Sequence, residues 1–240
     1  MMKGAAQTPP LVELKGISKV YGMGSTSLAA LRGVDLTITQ GEFVAVMGPS
    51  GSGKSTCLNI LGCLDIPTSG SYLFKGVDVG GLTRNQRALL RRNYLGFIFQ
   101  GFNLMQRTSA LENVELPLIY RGVHLSERHR RAREALKAVG LDGWEKHTPG
   151  ELSGGQQQRV AIARAMVVEP QVLLADEPTG NLDSSMSREI MKLLSDFNRR
   201  DGVTIIMVTH EHAMAQYARR TISFLDGLIE SELANGGIPA

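Results

Sequence analysis

Nine consecutive residues, Gly48-Pro49-Ser50-Gly51-Ser52-Gly53-Lys54-Ser55-Thr56, carry the pattern G-x-x-x-x-G-K-[ST]. Residues of these types at this spacing suit one task, the holding of a chain of phosphates. Glycines let successive backbone N–H groups turn toward phosphate oxygens, and a helix that starts there adds partial positive charge. Lys54 is placed to neutralise the β- and γ-phosphates of ATP, and the Ser55 hydroxyl to ligate Mg2+. The run before the loop, residues 43–47, is nearly continuous apolar sequence, and the run from Lys54 reads as a helix. That is the strand–loop–helix setting in which the pattern acts as a phosphate loop.

A second apolar run ends in Ala175-Asp176-Glu177-Pro178. Asp176, at a strand end, can hold the metal ion through its water shell, and Glu177 can polarise an attacking water as general base. Taken alone, such an acidic pair is as well read as the cap of the next helix. Beside a phosphate loop it supplies the other half of a nucleotide site.

The run Leu152-Ser153-Gly154-Gly155-Gln156-Gln157-Gln158-Arg159 resembles the signature sequence of ATP-binding cassette (ABC) proteins, and the other motifs then fall into that family's order over residues 11–233. The resemblance implies a P-loop NTPase fold of the ABC ATPase type, α/β in class, with a core parallel sheet, an antiparallel β lobe and a helical lobe. It implies ATP hydrolysis with Mg2+, and a homodimer in the ATP-bound state. In such a dimer the turn formed by Ser153, Gly154, Gly155 and Gln156 of one subunit meets the γ-phosphate held by the other. It further implies that Gln100 meets the metal and the attacking water, that His210 acts as a switch at the γ-phosphate, that Asp183 communicates across the dimer and that Tyr21 stacks on adenine. Asp183, just before Ser184, is equally a good helix N-cap. Residues 93–106, 110–120 and 176–184 are similar to macrolide-exporter ATPases of the MacB type. Lipoprotein-releasing and cell-division ATPases are alternatives, and an ABC ATPase without a transport role is an alternative of another class.

The elements that must position these residues are legible in outline. Residues 11–17, 34–39 and 71–75 alternate in polarity and read as antiparallel strands. Residues 43–47, 172–175 and 203–208 are Val- and Ile-rich, as in strands buried on both faces of a parallel sheet. Helices are expected from Lys54 through residue 64, and from Gln156, Ser184 and Glu211. About 125 residues separate the first two buried strands, far more than a simple crossover needs. That insertion holds a strand-like run at 95–99 and helices at 110–118 and 126–139, the second started by Ser126 and stopped by Gly140.

The composition excludes several classes. Of 240 residues 42% are hydrophobic and 20% charged, the balance of a folded globular chain. The formal charge of +3 is too mild to make nucleic acid the default partner. No run is long and apolar enough to span a bilayer. The reading that follows is a motor at the cytoplasmic face of the inner membrane, peripheral to a separate integral-membrane permease. Residues 1–10 and 234–240 read as flexible tails. Cys57 and Cys63 read as lying on different faces of one helix, without disulfide or zinc. Two basic runs, Arg84, Arg87, Arg91, Arg92 and Arg128, Arg130, Arg131, Arg133, read as solvated helix faces or as docking surfaces for the permease or anionic lipid.

Overall fold

The structure is a computed structural model that describes residues 10–22 and 27–235. The first half of the chain forms β1 (Pro10–Tyr21), β2 (Leu28–Thr39), β3 (Phe43–Met47), α1 (Lys54–Leu61), β4 (Ser69–Phe74), β5 (Val77–Asp78), α2 (Arg84–Tyr94), β6 (Leu95–Ile98) and α3 (Ala110–Tyr120). The second half forms α4 (Leu125–Ala138), α5 (Gly154–Met166), β7 (Val172–Asp176), α6 (Ser184–Asp201), β8 (Thr204–Val208), α7 (His212–Ala215), β9 (Arg220–Leu225) and β10 (Leu228–Ala234).

Two sheets organise these elements. One is antiparallel, in the order β2-β1-β4-β5, with Leu14 opposite Leu36 and Tyr72 on its two sides. The other runs β10-β9-β3-β8-β7-β6, and every pair in it is parallel except β9 with β10. All residues of β3 and β8 are buried, which the Val- and Ile-rich runs require. Because side chains alternate along a strand, each of these strands feeds two cores. Phe43, Ala45, Met47, Ile205 and Met207 pack with α3 to α7, while Val44, Val46, Ile206 and Val208 pack with α1 and the antiparallel sheet.

The parallel arrangement has a direct consequence for chemistry. β3, β8, β7 and β6 are neighbours that point the same way, so the loops leaving their carboxyl ends emerge along one edge. Those loops begin at Gly48, Thr209, Glu177 and Phe99.

Several expectations need correction. α1 ends at Leu61 rather than at 64, so Cys63 lies beyond the helix, with φ +54°. α4 begins at Leu125 with His124 at its N-cap, and Ser126 sits inside the first turn; Gly140 follows the helix at φ +76°, as expected. α2 is a helix not singled out in the sequence, closed by a Thr83–Gln86 capping box. Of the expected tails, Pro10 pairs with Thr39, Ala234 pairs with Arg220, and Asn235 donates from Nδ2 to Ala215 and Ala218 carbonyls; the remaining tail residues lie outside those described. No helix among the described residues is long and apolar enough to cross a membrane.

Candidate functional site

The phosphate loop joins β3 to α1. Gly48 and Gly53 sit at φ +143° and +103°, and a Cβ on either would collide with backbone: 2.2 Å from Phe224 O at Gly48 and 2.5 Å from Ala30 O at Gly53. Only glycine fits there. Gly53 is also the N-cap of α1 and gives it no side-chain cap, whereas Thr83, Ser109, Ser153 and Asp183 cap α2, α3, α5 and α6. Among the described residues no backbone carbonyl accepts from the first N–H groups of α1, those of Lys54, Ser55 and Thr56. Inside the loop the buried Ser52 Oγ is also without a partner. Open N–H donors and an orphaned hydroxyl around Lys54 make a cradle for an anion.

Lys54 is buried and donates from Nζ to Gly48 O at 2.8 Å and to Pro49 O at 2.7 Å. Burial lowers its pKa, against the opposing pull of the Glu177 and Asp176 charges. Asp176 ends β7, and its carboxyl pKa is raised by burial and by the Glu177 charge while Lys54 lowers it. A desolvated cation and two carboxylates thus face one another in one place. Glu177 adopts φ +47°, and its N–H donates to Val208 O at 3.0 Å. His210, two residues past β8, puts Nδ1 3.2 Å from Glu177 Oε1.

The expected metal set of Ser55, Asp176 and Gln100 offers hard oxygen donors, which suits Mg2+. Among the described residues no group of three or more His, Cys, Asp or Glu could hold an ion alone.

Gln100 follows β6 and packs at Gly180, where a Cβ would come within 2.8 Å of Gln100 Nε2. Asn181 Nδ2 donates to Gln100 O at 2.8 Å, tying the loop after β6 to the loop after β7. Ser153 N-caps α5 through a capping box with Gln156; Ser153 itself is exposed, Gly154 and Gln156 are half-buried and Gly155 is buried. Asp183 caps α6, accepting from Ser185 N and Met186 N at 2.9 Å each, so its own chain gives the carboxylate the helix-cap role. Tyr21 is exposed; its hydroxyl donates to Asp65 Oδ2 at 2.8 Å, and Lys19 Nζ lies 4.8 Å from the ring centroid.

Sequence reasoning passed over three residues of this neighbourhood, Asn181, Gln158 and Arg164. Gln158 and Arg164 extend from α5 to the carbonyls of Pro178, Phe102 and Asn103. A signal existed for Arg164, a lone charge inside the apolar run 160–166.

The two basic runs part company. Arg128, Arg130 and Arg131 pair with Glu115, Glu127 and Glu134. Arg87, Arg91 and Arg92 instead donate to the carbonyls of Leu82, Cys63 and Tyr120, and none of the three pairs with a carboxylate among the described residues. Arg91 and Arg92 flank a groove of about 710 Å³ lined by Phe97, Phe99, Leu116 and Tyr120.

The model of the family described as ABC transporter matches residues 31–180. The chain is 52% identical over 228 residues to a macrolide export ATP-binding/permease protein, MacB, of Hyphomonas neptunium, covering 95% of this chain and 35% of that protein. It is 50% identical over 240 residues to a pyoverdine export ATP-binding/permease protein of Pseudomonas aeruginosa, covering 100% of this chain and 36% of the relative. The chain thus spans about a third of the length of these curated relatives. A solved ATP-binding cassette, a dimer in a post-hydrolysis state bound to ADP and Pi, superposes with a TM-score of 0.87 at 47% identity, covering 95% of this chain and 100% of that one. The chain belongs to the ABC transporter family and has the fold of its ATP-binding cassette.

Proposed function

We propose that residues 11–233 work as one nucleotide-binding domain that hydrolyses ATP to drive an exporter of the MacB type. The observation that carries this reading is the meeting of the phosphate loop, Asp176, Glu177, Gln100 and His210 along one edge of parallel strands, with His210 Nδ1 3.2 Å from Glu177 Oε1. Gly48, Pro49, Ser50, Gly51, Ser52, Gly53 and Thr56 wrap the phosphates, and Lys54 neutralises their charge. Ser55, Asp176 and Gln100 hold the magnesium ion. When bound, the ion supplies charge neutralisation across the phosphates. Glu177 takes the proton of the attacking water, His210 orients Glu177, and Tyr21 offers the ring face away from Lys19 to the base.

In the working state two copies join head to tail. Each contributes Ser153, Gly154, Gly155 and Gln156 to the other's nucleotide, with Asp183 at the boundary between them. The dimeric state of the solved relative supports this arrangement. The partner on the membrane side is a permease, seated at the groove beside Arg91 and Arg92, where an apolar segment bearing acidic residues would meet positive charge. On this reading the domain works peripherally, at the cytoplasmic face of the membrane. Macrolides and pyoverdine are the export substrates in the relatives' names; the substrate here is set by the permease that carries it.

The test is ATP turnover by the purified chain and two variants. Lys54→Ala should weaken ATP binding by on the order of 10- to 100-fold, the worth of a hydrogen bond to a charged group. Glu177→Gln should bind ATP normally and lose roughly 10²- to 10⁴-fold in kcat, the range of general-base catalysis. Undiminished turnover in both variants would overturn the reading.

A further inference from the structure

The helix that carries the signature turn also reaches both loops that frame the hydrolytic site. Gln158 of α5 is fully buried and donates from Nε2 to Pro178 O at 2.6 Å. Six residues on, Arg164 donates from Nη1 to Asn103 O at 2.6 Å and from Nη2 to Phe102 O at 2.8 Å. Six residues turn a helix by about 600°, so the two side chains leave it on different sides and reach different loops. One contact falls on the residue after Glu177; the other falls two and three residues after Gln100.

Both loops need such support. Glu177, Phe102 and Asn103 sit at φ +47°, +59° and +51°, outside helices and strands. Left-handed backbone at a non-glycine residue is disfavoured and persists where surrounding contacts impose it. The carbonyls held by Gln158 and Arg164 belong to these same strained stretches. Asn181 completes the linkage by donating to Gln100 O, so the two loops are also joined to each other.

We propose that Gln158 and Arg164 are positioning residues that hold Glu177 and Gln100 in place from α5, so that engagement of the signature turn at the exposed Ser153 is transmitted along one helix to the hydrolytic groups of the same chain. The inference rests on the reading of Glu177 and Gln100 as groups that act on the nucleotide. Its physical content is that α5 serves two sites. Its first turn touches the nucleotide of the partner subunit, and its interior side chains set the geometry of its own. ATP bound at one site therefore improves hydrolysis at the other.

The experiment compares Gln158→Met, Arg164→Met and Arg164→Lys with the parent chain. Methionine keeps much of the glutamine's volume without a donor, and lysine keeps the charge of arginine with a single ammonium in place of the two guanidinium nitrogens. Hydrogen exchange of the nucleotide-free chain should rise about tenfold, the worth of one such bond, at the Gly180 and Leu182 amides in Gln158→Met. The same rise is expected at Phe102 and Asn103 in Arg164→Met, with protection of β3, β7 and β8 unchanged in both. In steady-state turnover, kcat should fall about tenfold in both Met variants with KM little changed. The Hill coefficient for ATP should fall below the parent's, and Arg164→Lys, which keeps the charge but not the two-nitrogen contact, should regain part of the loss. Unchanged exchange at both loops, or protection lost evenly across the chain, would overturn the proposal. A parent chain without turnover would sink the ATPase reading, and the exchange arm would still decide whether α5 positions the two loops.

Discussion

His210 and Glu177 come from the ends of adjacent strands, β8 and β7, and meet with Nδ1 3.2 Å from Oε1. Glu177 is held from behind by its N–H bond to Val208 O, so the imidazole meets a carboxylate that cannot drift along its strand. His210→Ala should lower kcat by about tenfold or more, the worth of a charge-assisted contact, and leave ATP affinity near that of the parent. His210→Gln, which keeps a donor, should recover part of the rate. A kcat equal to the parent's in His210→Ala would remove the histidine from the hydrolytic step. Steady-state kinetics with a parallel nucleotide-binding titration makes the distinction.

Gly48→Ala and Gly51→Ala separate steric need from conformational preference within one loop. A Cβ at Gly48 would stand 2.2 Å from Phe224 O, while a Cβ at Gly51 meets nothing within 4 Å. Both sit at positive φ, so both variants carry a left-handed alanine, at a cost of about 1–2 kcal/mol. Only Gly48→Ala adds a collision with backbone that cannot move aside without shifting β9. Thermal unfolding should place Gly51→Ala modestly below the parent and Gly48→Ala well below it, with nucleotide binding lost in the latter. Equal midpoints for the two would contradict the geometry.

The two cysteines should be silent in the folded chain. Burial pushes the Cys57 thiol up to about 12 and the Cys63 thiol up to about 11, the latter against the pull of Arg91 and Arg87. An alkylating reagent at pH 8 should modify neither residue in native protein and both after denaturation. The folded thiols hold their protons above the ordinary value of 9.0, so their contribution to stability is complete below pH 9. It fades as pH rises through 11 and 12. Mass spectrometry of alkylated chain and denaturant midpoints across that alkaline range measure both effects.

Arg91→Glu with Arg92→Glu should break association with the permease in native membranes while leaving ATP binding intact. The guanidiniums lie against the carbonyls of Cys63 and Tyr120 at 2.7 and 3.0 Å, so the change reverses charge at the groove mouth without stranding an acidic partner. The equivalent reversal at Arg130, already paired with Glu127 and Glu134, should leave association unaltered. Co-purification from membranes reads the difference. Loss of association in both cases, or in neither, would take the groove out of consideration.

The phosphate loop, the Asp176-Glu177 pair and the Ser153-Gly154-Gly155 turn are legible in the sequence, the acidic pair only beside the phosphate loop. Each is a run of neighbouring residues whose types and spacing constrain the local backbone. The buried parallel strands are legible for the same reason, since unbroken Val and Ile runs can be satisfied only by cover on both faces. Other features depend on partners far along the chain. Arg164 meets the carbonyl of Phe102 across 62 positions and Asn181 meets that of Gln100 across 81. Whether the arginines of α2 face carbonyls and those of α4 face carboxylates is settled by packing, because periodicity describes which face of an element is polar and is silent on what lies opposite. The placing of Cys63 beyond α1, and of Ser126 within α4, follows from local turns whose outcome tertiary contacts decide. Tertiary structure alone made α5 a strut between two loops: its residues specify a helix, and only the closed fold brings Pro178, Phe102 and Asn103 within reach of it.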